Sequence, residues 1–263
     1  MPGALASSDD VDTDANPELE LRDLPVRVPG GGPEIARVNL TVAKGQIVFV
    51  RGDSGAGKSI LLRTIAGLEP TDVSSGALTL AGKSPTGLGL PNWRARVSYV
   101  AQNRPSVDGT PRQLHSAAIS LASQRARLAA GTPSAAARTP PSLDDIAARL
   151  GLDSPSCVDR AWSSLSGGEA QRAMLAVHLA TAPDFLLVDE PTAACDLAAT
   201  AAVEAALATC GAGVIWVTHD HDQTIRIDGH VYSFPPRVDD GGCQSEGGGD
   251  DDDGGGDDDD DDM

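Results

Sequence analysis

The segment Gly52-Asp53-Ser54-Gly55-Ala56-Gly57-Lys58-Ser59 fits the spacing G-x-x-x-x-G-K-[ST]. Glycines at positions 52, 55 and 57 free the backbone to curl its N–H groups round an anion. The chemistry served is phosphate binding, with the loop amides and Lys58 on the phosphate oxygens and the Ser59 hydroxyl toward a divalent cation. Such a loop needs a strand before it and a helix after it. Gln46-Ile-Val-Phe-Val50 is an apolar run of strand type, and Ile60 to Ala66 puts Leu61, Leu62, Ile65 and Ala66 on one helical face. The positive end of that helix points at the same anion.

Two further stretches carry groups that complete such a site. Phe185-Leu-Leu-Val-Asp189-Glu190 is a buried strand ending in two acids. The first acid suits a divalent cation, usually through water, and the second suits a water aimed at a terminal phosphate. Leu165-Ser166-Gly167-Gly168-Glu169-Ala170-Gln171-Arg172 opens a helix with a hydroxyl and little steric bulk, a second anion-binding N-terminus. As an ordinary feature it is an N-cap, which Ser166 would satisfy. One chain has little use for two such sites on one triphosphate. Two chains facing head to tail do, because each can close on the other's nucleotide.

The elements that must hold these groups alternate along a chain of 263 residues, enough for one large α/β domain or two small ones. Net charge is −18, but residues 239–263 hold 13 of the 38 acids and no base. The body, 1–238, has 25 acids against 20 bases, a difference of −5, which argues against a broad nucleic-acid surface. Cys157, Cys195, Cys210 and Cys243 show no zinc-type spacing and read as free thiols in a reducing compartment. No stretch approaches 18 apolar residues, and the acidic start lacks the core of a signal sequence.

Residues 1–17 read as a disordered acidic lead. Leu19 to Val28 alternates as an edge strand interrupted by Pro25, and Ala36 to Val42 alternates as a second strand. Gly76–Leu80 and Val97–Val100 are further strands, separated by turn-rich sequence. A mainly helical insertion, about 104–164, follows. Its first helix, Pro111 to Ala130, spaces Leu114, Ala118, Leu121, Arg125 and Leu128 at helical intervals. Its low-complexity linker is 131–141, and Ser142 caps its next helix. Helices at Glu169–Thr181, Leu197–Cys210 and Asp220–Arg226 then alternate with strands at Phe185–Asp189, Val214–Val217 and Val231–Phe234. That alternation predicts a largely parallel sheet with covered faces. Residues 239–263 are Gly and Asp runs, read as a solvated, disordered tail.

The order Gly52–Ser59, Gln102, Leu165–Arg172, Phe185–Glu190, Asp196 and His219 resembles the ATP-binding cassette (ABC) ATPases over about residues 19–235. The resemblance implies an α/β P-loop NTPase of the ABC type: a mainly parallel core, an antiparallel β subdomain and an inserted helical subdomain within 18–238. It implies ATP and Mg²⁺ as cofactors, with Gly52, Asp53, Ser54, Gly55, Ala56, Gly57, Lys58, Ser59 and Ile60 on the nucleotide. Ser59, Gln102 and Asp189 fall to the metal; Glu190, His219, Lys58 and Gln102 to catalysis. Ser166, Gly167 and Gly168 then close on the partner's nucleotide, and Asp196 crosses to the partner chain. The implied partners are a transmembrane permease and, with ATP bound, a second copy of the chain, with no nucleic acid. The implied location is peripheral, on the cytoplasmic face of a membrane.

Val97-Ser-Tyr-Val-Ala-Gln102 and Ile215-Trp-Val-Thr-His-Asp-His-Asp222 are most similar to the ATPase of Fet-type bacterial exporters, linked to iron, and to a related plant aluminium-tolerance ATPase. The alternative is a soluble ABC-type ATPase such as an iron–sulfur assembly factor. Three departures from the family stand out. No aromatic residue precedes Phe49 to stack on adenine, leaving Val26 or Val28 as an aliphatic contact. Ile60 stands where Thr is common, and Cys195 replaces a usual Leu and reads as a small buried hydrophobe.

Overall fold

The computed structural model describes residues 17–69, 76–103, 107–130, 141–152 and 156–235. The acidic lead before residue 17, the linker at 131–140, Cys243 and the 239–263 tail lie outside the described residues.

Among the described residues, eight strands form two sheets. Strands β1 (Glu18–Arg27), β2 (Glu34–Ala43) and β4 (Leu78–Leu80) make an antiparallel sheet in the order β2-β1-β4. Strands β3 (Ile47–Arg51), β5 (Val97–Val100), β6 (Phe185–Asp189), β7 (Gly213–Val217) and β8 (His230–Ser233) make a parallel sheet in the order β5-β6-β7-β3-β8. In β6 and β7 every residue is buried. Both faces of this sheet are covered, so these strands read as unbroken apolar runs instead of alternating.

On one face, helix α1 (Lys58–Ile65) and the antiparallel sheet share a core with Val48, Val50, Leu187 and Val217. Between β4 and β5 lie α2 (Pro85–Leu88) and α3 (Leu90–Arg96), and α3 buries Trp93 in that core. The Trp93 indole donates to the Ile65 carbonyl at 2.8 Å, which satisfies one of the orphan acceptors at the end of α1. On the other face, α6 (Leu143–Arg149), α8 (Gly167–Ala180) and α9 (Leu197–Ala208) pack on Phe49, Leu186, Val188 and Trp216. Helices α4 (Pro111–Ser120), α5 (Ala122–Ala130) and α7 (Ser156–Asp159) complete the inserted segment, and α10 (His221–Arg226) precedes β8.

Four expectations need correction. Strand β1 is central where Leu19–Leu21 pair with both neighbours; only beyond Leu21, where β4 has ended, is it an edge. Pro25 is tolerated because it falls there, past a register shift at which Asp23 adopts φ 51°. The helix read over 111–130 is two helices, broken at Leu121, whose ψ of 139° is extended. Leu121 and Leu128 are both exposed, so the apolar stripe they were to continue is not buried. The turn-rich reading before β5 missed α2 and α3, each only a turn or two long and rich in Pro, Gly or Arg. Val26 is fully buried in the core and offers nothing to a base, which leaves Val28 at the rim.

Candidate active site

Parallel strands end on one edge, and here that edge collects the chemistry. The phosphate loop follows β3, Gln102 follows β5, Asp189 and Glu190 end β6, and His219 follows β7. Ligands of open α/β sheets bind beyond these carboxyl ends.

The loop takes its shape from its glycines and from what lies beneath them. Gly52 has φ 156°, Gly55 76° and Gly57 113°. A Cβ on Gly57 would stand 2.3 Å from Ile35 Cδ1, and one on Gly52 would stand 3.2 Å from Phe234 Cβ. Phe234 is pinned there by its N–H, which donates to the Arg51 carbonyl at 2.6 Å. Within the loop Ala56 is buried, whereas Asp53 and Ser54 are exposed. The Lys58 ammonium folds back to the carbonyls of Gly52, at 2.8 Å, and Asp53, at 2.7 Å. Burial pulls the Lys58 pKa below its ordinary value, against the opposing pull of Glu190, Asp189 and Asp53. Ser59 is exposed in the first turn of α1, and Ile60 anchors that turn in the core.

Asp189 is buried at the end of β6 and accepts a 3.3 Å hydrogen bond from the Tyr99 hydroxyl on the neighbouring strand. Burial, with the Asp189 charge added, pushes the Tyr99 phenol well above its ordinary pKa, so it stays a donor. The next residue, Glu190, has φ 48°, a left-handed conformation unusual for a residue with a side chain. Its N–H donates to the Val217 carbonyl at 3.0 Å, and its carbonyl accepts from Gln171 Nε2 at 2.8 Å. The carboxylate is engaged at both oxygens. His219 Nε2 lies 3.0 Å from Oε1, and Gln102 Nε2 donates to Oε2 at 3.0 Å. Gln102, placed in sequence on a metal, thus meets Glu190. Behind His219, Thr218 donates to Gln223, and Gln223 donates to Thr192 at 2.8 Å, tying the loop after β7 to the loop after β6.

Ser166 caps α8: its hydroxyl accepts from the Glu169 N–H, and the Glu169 carboxylate in turn accepts from the Ser166 N–H at 2.7 Å. Those bonds to Ser166 hold the Glu169 carboxyl below its usual range. Ser166 and Gly167 are exposed, while Gly168 packs on the carbonyl of Ala194. Asp196, also exposed, caps α9 by accepting from the Ala199 N–H at 2.8 Å. Cys195 packs partly buried against the core, where burial raises its thiol pKa.

Sequence reasoning missed Tyr99, Gln223 and the bond from Gln171 to Glu190. The apolar alternation of Val97–Val100, broken by Ser98 and Tyr99, was the one available signal for the first.

A strained acid beside a buried acid, a lysine-braced glycine loop and a capped Ser-Gly-Gly helix form a P-loop NTPase site with a second helix N-terminus. The ABC transporter family profile matches residues 35–193. The zinc import ATP-binding protein ZnuC of Cereibacter sphaeroides is 33% identical over 208 residues, covering 75% of this chain and 74% of its own. Protein STAR1 of Oryza sativa is 34% identical over 226 residues, 81% of this chain and 59% of its own. The Fe(3+) ions import ATP-binding protein FbpC of Streptomyces coelicolor is 32% identical over 226 residues, 81% of this chain and 58% of its own. The solved ATP-binding subunit of an ABC transporter superposes with a TM-score of 0.64 at 20% identity, over 82% of this chain and 85% of that one.

The chain belongs to the ABC transporter family, as an ATP-binding subunit with the ATP-hydrolysing fold. The named importers do not carry the Fet-type exporter likeness, and that finer assignment does not follow from them.

Proposed function

We propose that this chain hydrolyses ATP as a homodimer around two nucleotides and drives a separate membrane permease. Among the described residues no helix is long and apolar enough to cross a membrane; the place proposed for the subunit, peripheral and on the cytoplasmic face, rests on its family resemblance. The observation that carries the reading is Glu190, held in a left-handed turn with its carboxylate between His219 and Gln102 at the edge where the phosphate loop opens.

The phosphate loop fits a triphosphate: its glycine amides are free of Cβ atoms, and Lys58 has only backbone carbonyls to leave. Asp189, with one long hydrogen bond, and the exposed Ser59 fit a magnesium ion, with Gln102 a further ligand once it leaves Glu190. When bound, that ion neutralises charge developing on the phosphate oxygens. Glu190 orients a water and takes its proton as the water oxygen bonds to the γ-phosphorus. The bond from phosphorus to the β–γ bridging oxygen breaks, and ADP leaves with the electron pair. His219 holds the Glu190 carboxylate in place and reports the γ-phosphate. Ser166, Gly167 and Gly168 close on the partner's nucleotide, and Asp196 reaches across to the partner.

As cargo we propose a metal ion. ZnuC and FbpC are named for zinc and ferric ion import, and the Fet-type resemblance is to a metal exporter. Metal is what these share; the outward direction rests on that resemblance alone.

Glu190→Gln is the test. Turnover is expected to fall on the order of 10²- to 10⁴-fold, while Mg-ATP still binds and drives a dimer that light scattering detects. Wild-type turnover in this variant would sink the role of Glu190, and a chain monomeric at saturating ATP would sink the dimer.

A further inference from the structure

The first turns of α8 and the loop running from Glu190 to Asp196 meet at two points. At one, Gly168 lies so close to the loop that a Cβ there would stand 2.6 Å from the Ala194 carbonyl oxygen. At the other, the side chain of Gln171, only 7% exposed, donates from Nε2 to the Glu190 carbonyl at 2.8 Å. That carbonyl already accepts from the Ala193 N–H at 3.2 Å. The loop therefore does not need Gln171 to satisfy a buried acceptor. An apolar side chain would fill the same space without the desolvation that a buried amide must offset. What the amide adds is direction: it grips the backbone of a residue whose φ of 48° must be maintained by its surroundings.

We infer that Gln171 is a positioning residue for Glu190, an amide clamp through which α8 sets the aim of the carboxylate. This rests on the reading of Glu190 as the group that activates water. The clamp also has a second end. Ser166 and Gly167 are exposed at the start of the same 14-residue helix, and Gln171 lies about 7.5 Å along its axis from Ser166. The Ser166–Glu169 capping box fixes the first turn of that helix, so the clamp stands on the same element as the exposed Ser166 tip.

Gln171→Met keeps the length and volume and removes the donor. In the full chain kcat is expected to fall on the order of 10²-fold, the cost of a small misplacement, with KM and Kd for ATP within about twofold, since the phosphate loop is untouched. In a Glu190→Gln background the same substitution is expected to add no further loss, because the two act as one unit. Gln171→Asn, with the amide one methylene short, is expected to show the same kcat-only loss and serves if the Met variant does not fold. Wild-type kcat in the folded variant overturns the clamp; so does a fall in kcat matched by equal loss of ATP affinity, or an additive loss in the double variant. Glu190→Gln separates the two claims. If it abolishes turnover while Gln171→Met does not impair it, the clamp alone fails; if it retains turnover, the role of Glu190 fails and the clamp with it.

Discussion

Lys58 reaches back across its own loop to the carbonyls of Gly52 and Asp53, two bonds that a bound phosphate would have to replace. A charge-assisted hydrogen bond contributes roughly 1.5–3 kcal/mol, and about 1.4 kcal/mol is tenfold in affinity. Lys58→Ala is therefore expected to weaken ATP binding at least about tenfold, read by titration with a fluorescent ATP analogue. Side chains such as Asp189, Glu190 and His219 were legible because each sits at or just past the end of a strand, and Lys58 because it opens the helix after the glycine loop, places that sequence order alone fixes. Their partners were not. Tyr99 meets Asp189 across 90 positions and Gln102 meets Glu190 across 88, pairings that exist only once β5 lies beside β6.

At the scale of elements, α8 and the loop after β6 behave as one piece, and their two glycines can be told apart. A Cβ at Gly167 meets nothing within 4 Å, whereas one at Gly168 meets backbone that cannot swing away. Gly168→Ala is expected to destabilise the fold by about 1–3 kcal/mol through overpacking and to slow turnover by displacing the loop. Gly167→Ala is expected to stay within about 0.5 kcal/mol of the parent. Thermal melts of the two variants check this, and equal melting points would refute it. Helices α6 and α8 were readable from their caps, Ser142 and Ser166, whereas the cap of α9, Asp196, was read only for its place toward a partner chain; each accepts from an N–H three residues on. The break between α4 and α5 was not readable, because both halves are Ala-rich and Leu121 is an acceptable helix residue; its exposure leaves no packing to hold the helix straight.

The molecule as a whole is tied together through α8, which reaches from the Ser166 cap to His178 against Ser98 of β5. The His178 Nδ1 and the Ser98 Oγ are 2.6 Å apart, and burial pulls the imidazole pKa down to about 4. The folded chain therefore holds His178 neutral, while the unfolded chain protonates it below about 6.5. Its contribution to stability is complete above that value and is lost as pH falls toward 4. His178→Gln is expected to lose less stability than the parent between pH 6.5 and 4, measured as the pH dependence of the melting temperature. Asp184 works in the same direction: burial opposes its ionisation, yet Arg96 and Lys44 hold its carboxyl below the usual range. It is common to both proteins, so it drops out of their difference. Parallel acid profiles would refute the role of His178.

By itself the sequence determined the family and the register of the chemistry along the chain, because glycine spacing, strand-terminal acids and helix caps are local properties of a few adjacent residues. The tertiary structure alone decided what faces what. Sheet order β5-β6-β7-β3-β8 depends on burying two apolar faces at once, a property of the whole chain, and it brings Gln102, Glu190 and His219 into contact. It also placed Val26 in the core, made β1 a central strand over its first turns of the ladder, and set the amide of Gln171 on the backbone of Glu190. Those contacts join residues 19 to 88 positions apart, and side-chain packing, which no local pattern encodes, is what selects them.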